Sequence, residues 1–434
     1  MTRLSLFPLT AEVSQQGHLI IGGCDTVELA SEFGTPLYLF DESSLRSKCS
    51  ELKTELGRHY GDVAVIYAGK AFINGALALI FNQEGLGLDV VSAGELGIAQ
   101  SVGFPLDRVY FHGNNKSAEE IKLALKWHIG RIVVDNFFEL KMLGEMAKEP
   151  GYIPDILLRL SPGVDPHTHR YNATGIVDSK FGFPLASGEE AVAQAMSAPN
   201  LNLVGLHFHL GSLIFEVEPY QESIELILSF AIEMKQKYGF ELKELNIGGG
   251  FAIQYVLDSP SLPIAVYAET IASKIISKCQ ELHLALPRLI VEPGRAIVGR
   301  AGVALYRVGV VKDIPGVRCY VSVDGGMADN IRPALYGAKH EVIVANKVLE
   351  REMGMVTIAG KFCESGDILV RDIDLPPVSA GDIIAIADSG AYCLPLASNY
   401  NASLKPAIVL VKEGKVRLIR RRETIADLTR CDLV

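Results

Sequence analysis

Four groups of residues that could react or bind a ligand each lie at the end of a short apolar run of the sequence or directly after it. They are Lys70, the pair His207 and His209, the glycines Gly248–Gly250, and Glu292 with Arg295. A lysine amine that is partly removed from water loses its proton more readily and can form a Schiff base with an aldehyde. Consecutive glycines can present backbone N–H groups to a phosphate without side-chain clash. A carboxylate can keep a pyridine nitrogen protonated, and a nearby arginine can bind an anion.

Each group also has an ordinary structural explanation. Lys70 could bury its stem and extend its amine into solvent, and Gly248–Gly250 could form a tight turn. Glu292 and Arg295 could close a loop with a salt bridge. His207 and His209 could bind a metal, but no third ligand has a suitable spacing, so we predict no metal site. Taken together, the lysine, the glycines, the carboxylate and a flat imidazole at His209 that can stack on a ring indicate a pyridoxal phosphate site.

The elements that would position these groups form a regular series. Eight apolar runs of strand length are rich in Val, Ile and Leu, as is typical of parallel strands buried on both faces. They are Val63–Ala68, Leu86–Val91, Val109–His112, Ile132–Asn136, Ile156–Leu160, Leu203–Leu210, Leu245–Ile247 and Leu289–Val291. In a (β/α)8 barrel the active site lies at the carboxyl ends of the strands, so these runs predict one pocket with several contributing strands.

Helical patterns separate the apolar runs. The segments 219–238 and 264–282 repeat apolar residues at three- and four-residue spacing. Ser117 with Glu120, and Ser187 with Glu190, fit capping boxes at helix starts. Strand alternating with helix favours the barrel.

The pattern changes after Arg300, where β-rich segments are separated by turns. These segments are 304–311, 318–323, 355–359, 381–386, 407–411 and 416–420. We therefore predict an α/β protein with a (β/α)8 barrel and a C-terminal all-β domain that also takes up an N-terminal strand at His18–Ile21. The predicted parts are a segment at 1–35 joining the β domain, the barrel at 36–300, and the all-β domain at 301–434.

Composition narrows the class of protein. The chain has 434 residues, 49% of them hydrophobic, which is enough for two domains with substantial cores. No apolar stretch approaches the ~18 residues that a membrane span requires. The net charge is −10 and no basic tract is present, so we expect neither a nucleic-acid nor a membrane partner. Seven scattered cysteines without a Cys-x-x-Cys pair indicate the cytoplasm.

Motifs across nearly the whole chain match one family in order. They are Tyr67–Ala71, Gly87–Ser92, His112–Lys116, Ser179–Gly182, His209–Ser212, Gly248–Gly250, Glu292–Arg295, Arg332–Tyr336, Cys363–Asp367 and Gly390–Tyr392. With these motifs the chain resembles the fold-type III pyridoxal-phosphate-dependent decarboxylases of the ornithine/diaminopimelate family.

The resemblance implies a role for each matching residue. Lys70 would hold the cofactor aldehyde, His209 would stack on the ring, and Glu292 would pair with the ring nitrogen. The phosphate would be held by Ser212, Gly249, Gly250, Gly294, Arg295 and Tyr392. Cys363 would protonate the carbanion from the partner subunit of a homodimer with shared active sites. The segment His167–His169 would cover the site without binding metal.

The resemblance also implies a substrate. Arg332, Tyr336 and Arg295 would bind a distal carboxylate, Glu364 would bind a distal ammonium group, and Tyr392 would also contact the substrate. The expected reaction is therefore decarboxylation of meso-2,6-diaminopimelate to L-lysine, the last step of lysine biosynthesis. Decarboxylation of another basic amino acid such as D-ornithine or D-lysine stays open, as does a non-catalytic homologue that binds pyridoxal phosphate.

Overall fold

The structure is a computed structural model, and it describes residues 3–148, 152–165 and 178–433. The segment His167–His169 lies outside the described residues. The chain forms two compact units. The β-rich unit comprises residues 1–47, 253–260 and 295–434, and the barrel unit comprises residues 48–252 and 261–294. The predicted domain limits at residues 35 and 300 stay a prediction.

The first elements along the chain are β1 (Glu12–Val13), β2 (Leu19–Ile21), β3 (Cys24–Asp25), α1 (Thr26–Phe33), β4 (Leu37–Asp41) and α2 (Glu42–His59). They begin the β-rich unit, whose first segment ends at residue 47 within α2, and the rest of that helix belongs to the barrel unit. Strands β1 to β3 form a small antiparallel sheet. Asp25 begins α1 as its N-cap, because its carboxylate accepts from the backbone N–H groups of Val27 and Glu28.

The barrel unit alternates strands and helices. Its strands are β5 (Val63–Ala68), β6 (Gly87–Val90), β7 (Val109–Phe111), β8 (Arg131–Val134), β9 (Asp155–Ser161), β10 (Phe183–Pro184), β11 (Asn202–His207), β12 (Glu244–Asn246) and β13 (Arg288–Val291). Its helices are α3 (Gly75–Gln83), α4 (Ala93–Ser101), α5 (Ala118–Lys126), α6 (Phe137–Met146), α7 (Leu185–Ser197), α8 (Glu218–Tyr238) and α9 (Ile264–Glu281).

Parallel pairing closes eight of these strands into a barrel. The order is β5-β6-β7-β8-β9-β11-β12-β13, and β13 pairs with β5 through Leu289 and Val63. The short β10 pairs in parallel with the last two residues of β9 and is not part of the ring. One buried side chain from each of five strands packs in the interior: Ile66, Tyr110, Val133, Leu157 and Ile290. The interior is therefore filled below the strand ends, and the predicted (β/α)8 barrel is confirmed.

The C-terminal elements complete the β-rich unit. They are α10 (Arg295–Val298), β14 (Gly302–Ile314), β15 (Arg318–Val323), α11 (Arg332–Tyr336), β16 (Val342–Val344), β17 (Gly354–Ala359), β18 (Ile368–Leu375), β19 (Ile383–Ile386), β20 (Ala407–Lys412), β21 (Lys415–Arg420) and α12 (Ile425–Thr429). The main sheet runs β18-β17-β15-β14-β4-β20-β21. Leu19 and Ile21 from β2 share its apolar core with Leu37, Val303 and Val409, which confirms that the β domain takes up an N-terminal strand.

Several local predictions have clear outcomes. The capping box of Ser117 and Glu120 is present at the start of α5. The capping box predicted at Ser187 is wrong, because α7 already begins at Leu185 and the Ser187 hydroxyl donates to the Pro184 carbonyl. None of the helices in the described part of the chain is both long and apolar enough to cross a lipid bilayer.

Candidate active site

A cavity of ≈ 390 Å³ in the barrel unit brings together three of the predicted site residues, Lys70, His209 and Glu292. The remaining lining residues are Asp89, Val91, His112, Gly113, Asn114, Asn115, Arg159, Phe181 and His207. Most of them stand at or just after the carboxyl end of a barrel strand. This is the end of a (β/α)8 barrel at which active sites form.

Lys70 lies in a 3-10 turn, Gly69–Ala71, directly after β5. The turn can approach β6 closely because residue 69 is glycine. A Cβ atom there would lie 2.9 Å from the carbonyl oxygen of Asp89, closer than real Cβ atoms come. The side chain of Lys70 is exposed. Its amine is therefore available to a ligand in the cavity.

Glu292 follows β13, and its carboxylate lies next to one amide and two imidazole rings. Asn246 Nδ2 donates to Glu292 Oε1 at 2.7 Å, and His112 Nε2 lies 2.9 Å from the same oxygen. His207 Nε2 lies 3.5 Å from Glu292 Oε2. Burial alone would raise the pKa of Glu292, but the imidazoles of His112 and His207 outweigh it and hold the pKa well below its usual range. Glu292 is thus a buried carboxylate that keeps its negative charge.

Two histidines of the cavity are neutral. Burial lowers the pKa of His207 to about 3. Burial, with Lys70 and Arg159 nearby, lowers the pKa of His209 well below its usual range. The backbone N–H of Gly249 donates to His209 Nδ1 at 3.1 Å, so the ring proton of neutral His209 is on Nε2. Strand β11 ends at His207, and His209 lies in the loop that follows.

The glycine loop after β12 leaves almost no room for side chains. A Cβ atom on Gly249 would lie 2.2 Å from the carbonyl oxygen of Glu292, and one on Gly250 would lie 2.6 Å from the Tyr220 hydroxyl. Gly250 also has a φ of +107°, a conformation that favours glycine. The loop is anchored because the Tyr220 hydroxyl donates to the Gly249 carbonyl at 2.8 Å. Ser212 is half-buried in the loop after β11.

Gly294 lies two residues after Glu292 in the loop that follows β13. A Cβ atom there would meet the carbonyl oxygen of Ala68 at 3.1 Å and the Ala71 side chain at 3.0 Å. Glycine therefore allows this loop to run against the turn that carries Lys70.

A second cluster of predicted residues lies within the β-rich unit. Arg295 and Arg332 are buried, at 7% and 3% exposure. The guanidinium carbon of Arg295 stands 4.6 Å from the centroid of the Tyr392 ring. Tyr336 is half-buried at the end of α11. Two adjacent buried guanidinium groups form a site suited to carboxylate or phosphate oxygens.

Cys363 and Glu364 are exposed in the loop between β17 and β18. The loop is organised by the buried carboxylate of Asp367, which accepts from the backbone N–H groups of Met327 at 2.6 Å and Phe362 at 2.9 Å. The Cys363 backbone N–H donates to Asn401 Oδ1 at 3.3 Å. The surrounding loop is thus fixed while its thiol and carboxylate face solvent.

Sequence reasoning missed several residues of these clusters. Asp89, His112, Arg159, Asn246 and Tyr255 received no role. The first four carried one usable signal, since each is a polar residue within or just after a buried strand. Tyr255 carried none, because it lies between regular elements.

The structure also supplies a third potential metal ligand. Ligand atoms of His112, His207 and Glu292 lie within 4.8 Å of one another. Sequence spacing could not indicate this trio, because its members come from three different strand ends. The prediction of no metal site stays a prediction.

Comparison with known proteins gives the class. Residues 42–299 match the family model described as pyridoxal-dependent decarboxylase, pyridoxal binding domain. The barrel cavity fits such a cofactor, because Lys70 offers an amine and Glu292 offers a charged buried carboxylate. The chain therefore uses pyridoxal phosphate, as the sequence predicted.

Individual relatives define the group within this class. The chain is 46% identical to the diaminopimelate decarboxylase of Bacillus subtilis (strain 168), over 98% of this chain and 97% of the relative. It is 43% identical to that of Synechocystis, over 99% and 93%. The crystal structure of the M. jannaschii diaminopimelate decarboxylase in complex with L-lysine covers 100% of this chain and 99% of its own, at 36% identity and a TM-score of 0.92. This chain belongs to the diaminopimelate decarboxylases, a family of carbon–carbon lyases.

Proposed function

We propose that the chain decarboxylates meso-2,6-diaminopimelate to L-lysine and CO2. The observation that supports this most directly is the single cavity lined by Lys70, His209 and Glu292. Relatives with L-lysine bound, from M. jannaschii and Helicobacter pylori, have this overall fold at TM-scores of 0.92 and 0.86.

In the proposed reaction the barrel residues hold pyridoxal phosphate, which when bound withdraws electrons from the substrate Cα. Lys70 would hold the cofactor at its aldehyde, the neutral His209 ring would stack on the pyridine, and the Glu292 carboxylate would keep a proton on the pyridine nitrogen. The phosphate would be held by Ser212, Gly249, Gly250, Gly294, Arg295 and Tyr392. Backbone N–H groups and a guanidinium are both suited to binding phosphate oxygens.

The β-rich unit supplies substrate recognition in this proposal. Arg332, Tyr336 and Arg295 bind the distal carboxylate, Glu364 binds the distal ammonium group, and Tyr392 contacts the substrate. Cys363 delivers a proton to Cα after CO2 leaves. In the single chain Cys363 and Glu364 are exposed, whereas controlled proton delivery requires water to be excluded.

The exposed loop supports a homodimer in which each active site uses Cys363 from the partner subunit. We also propose that the enzyme works in the cytoplasm, which the seven free cysteines support.

The substrate is tested by measuring CO2 release from meso-2,6-diaminopimelate, D-lysine and D-ornithine in parallel with the same holoenzyme. Diaminopimelate should give by far the highest kcat/KM, because only it offers Arg332 a distal carboxylate. A higher kcat/KM for either monocarboxylate would contradict the proposed substrate and leave the decarboxylase class intact.

The shared site is tested by mixing two inactive variants. Lys70→Ala and Cys363→Ala each remove one essential group, so each should be inactive alone. Random exchange of subunits makes about half of the dimers mixed, and activity should recover to about a quarter of wild-type sites. Exchange is verified independently with two affinity tags. Absence of recovery despite verified exchange would show that Cys363 serves its own chain.

A further inference from the structure

We infer that Tyr255 is a positioning residue with two functions: its ring holds Arg332 in place for the distal carboxylate of a ligand, and its hydroxyl holds Arg295 in place. This inference rests on the proposed function, because it concerns the two arginines assigned to the phosphate and to the substrate.

Tyr255 belongs to a short excursion of the chain. Residues 253–260 are part of the β-rich unit, although the residues on both sides of them belong to the barrel unit. The excursion has no regular secondary structure, and side chains hold it in place. Gln254 Nε2 donates to the carbonyl of Leu257 at 2.9 Å, and the Ser259 hydroxyl donates to the carbonyl of Val256 at 2.8 Å. A segment tied down in this way can present one aromatic side chain rigidly.

The Tyr255 side chain contacts both arginines, and the guanidinium carbon of Arg295 is itself 5.7 Å from the ring centroid. Its hydroxyl accepts a hydrogen bond from Arg295 Nη1 at 2.6 Å. Its ring lies under Arg332, whose guanidinium carbon is 4.7 Å from the ring centroid. His340 packs edge-on against the same ring, with the centroids 5.5 Å apart at an interplanar angle of 89°. The tyrosine is 8% exposed, so these contacts are shielded from water.

The Tyr255 ring offsets part of the electrostatic repulsion between Arg295 and Arg332. Two buried guanidinium groups repel each other, and the negative face of an aromatic ring offsets part of that repulsion. Asp388 is a buried acid of the same unit, but burial raises its pKa well above the ordinary value, which reduces the charge that it offers to the arginines. Arg332 Nη1 is buried and has no hydrogen-bond partner among the described residues. Tyr255 can therefore keep Arg332 in place while leaving this donor for a ligand carboxylate.

The two contacts can be separated by substitution. Tyr255→Phe removes the hydroxyl that binds Arg295 and keeps the ring under Arg332. Tyr255→Leu removes both. Tyr60→Phe is the matched control, because its buried hydroxyl also makes a 2.6 Å hydrogen bond, to the Pro287 carbonyl of the barrel unit.

The readout is binding to the holoenzyme by calorimetry, with L-lysine and cadaverine as probes. These two ligands differ by one carboxylate, and neither measurement depends on turnover. The ratio of their dissociation constants should fall at least about 10-fold in Tyr255→Leu, which is the scale of a charge-assisted hydrogen bond. This ratio should stay within about 3-fold of wild type in Tyr255→Phe and Tyr60→Phe, since both variants keep an aromatic ring at position 255. Loss of pyridoxal phosphate on dialysis should be faster in Tyr255→Phe and unchanged in Tyr60→Phe.

An unchanged ratio in Tyr255→Leu would overturn the inference, as would equal weakening of both probes. Should Tyr255→Leu fail to fold, Tyr255→Met provides the same loss of the aromatic face with a flexible apolar side chain, and the same ratio is measured. Wild-type holoenzyme that shows no preference for L-lysine over cadaverine would contradict the proposed substrate itself. Faster cofactor loss in Tyr255→Phe would still support the hydroxyl contact to Arg295, so the two failures are distinguishable.

Discussion

Substitution of Gly249 by alanine tests the geometry of the active site alone, because it adds one methyl group and removes no reactive group. The new Cβ atom would lie 2.2 Å from the Glu292 carbonyl oxygen, whereas real Cβ atoms essentially never come within 3.0 Å of such an atom. The two backbones must therefore separate by at least 3.0 − 2.2 = 0.8 Å. Misplacement of a catalytic group by about 1 Å can cost about 100-fold in rate.

We therefore expect kcat of Gly249→Ala to fall about 100-fold, with a loss of about 1–3 kcal/mol in unfolding free energy from overpacking. Steady-state CO2 release and thermal unfolding measure the two effects. Gly97→Ala is the control, since Gly97 lies within α4 and a Cβ atom there would meet no atom of the described residues within 4 Å. It should keep full activity and gain up to about 1 kcal/mol of stability. Wild-type turnover in Gly249→Ala would refute the argument that this close approach positions Glu292.

Two further predictions concern charge in the barrel cavity. Glu292→Gln keeps the size of the side chain but loses the charge, so kcat should fall at least about 100-fold. Some cofactor should stay bound, which its absorbance after gel filtration measures. Retained turnover would rule out the role given to this carboxylate. His207, with a folded pKa of about 3 against about 6.5 unfolded, binds a proton more readily when the chain is unfolded. Its contribution to stability is complete above pH 6.5 and is lost progressively as the pH falls toward 3, by about 2 kcal/mol at pH 5. His207→Asn should therefore lose less stability than wild type between pH 7.5 and pH 5 in thermal unfolding, and an equal loss would contradict the buried neutral histidine.

Sequence periodicity predicted the barrel well because its strands are buried on both faces and read as continuous apolar runs. Helix α9 was predicted to end at Leu282 and ends at Glu281. In the β-rich unit five strands were missed, for a physical reason in each case. Strands β1 and β3 are only two residues long, and β16 is only three. Strand β18 carries the charged residues Arg371 and Asp372, and β4 lies within the segment 36–300 that was assigned to the barrel, although it pairs with β14 and β20.

The site was predictable where a motif gave the residue and where barrel topology gave its position. Lys70, His209 and Glu292 follow strand ends, so their meeting in one cavity follows from the fold. The contacts of His112 and Asn246 with Glu292 were not predictable. They depend on rotamers and on distances between strands that are remote in sequence, which periodicity does not encode.

The residues proposed for this reaction differ in burial, and the difference corresponds to the role proposed for each of them. Glu292 must keep a fixed charge, and it is buried beside Asn246, which donates to it, and beside His112 and His207, whose imidazoles lower its pKa. Lys70 and Cys363 must exchange a covalent partner or a proton, and both are exposed in the single chain. A group that holds charge benefits from a rigid, dry environment, because the surrounding dipoles need no rearrangement during the reaction. A group that moves a proton or a covalent bond needs access first and exclusion of water only when the substrate is present. The exposed thiol of Cys363 is therefore consistent with a site that is completed on assembly.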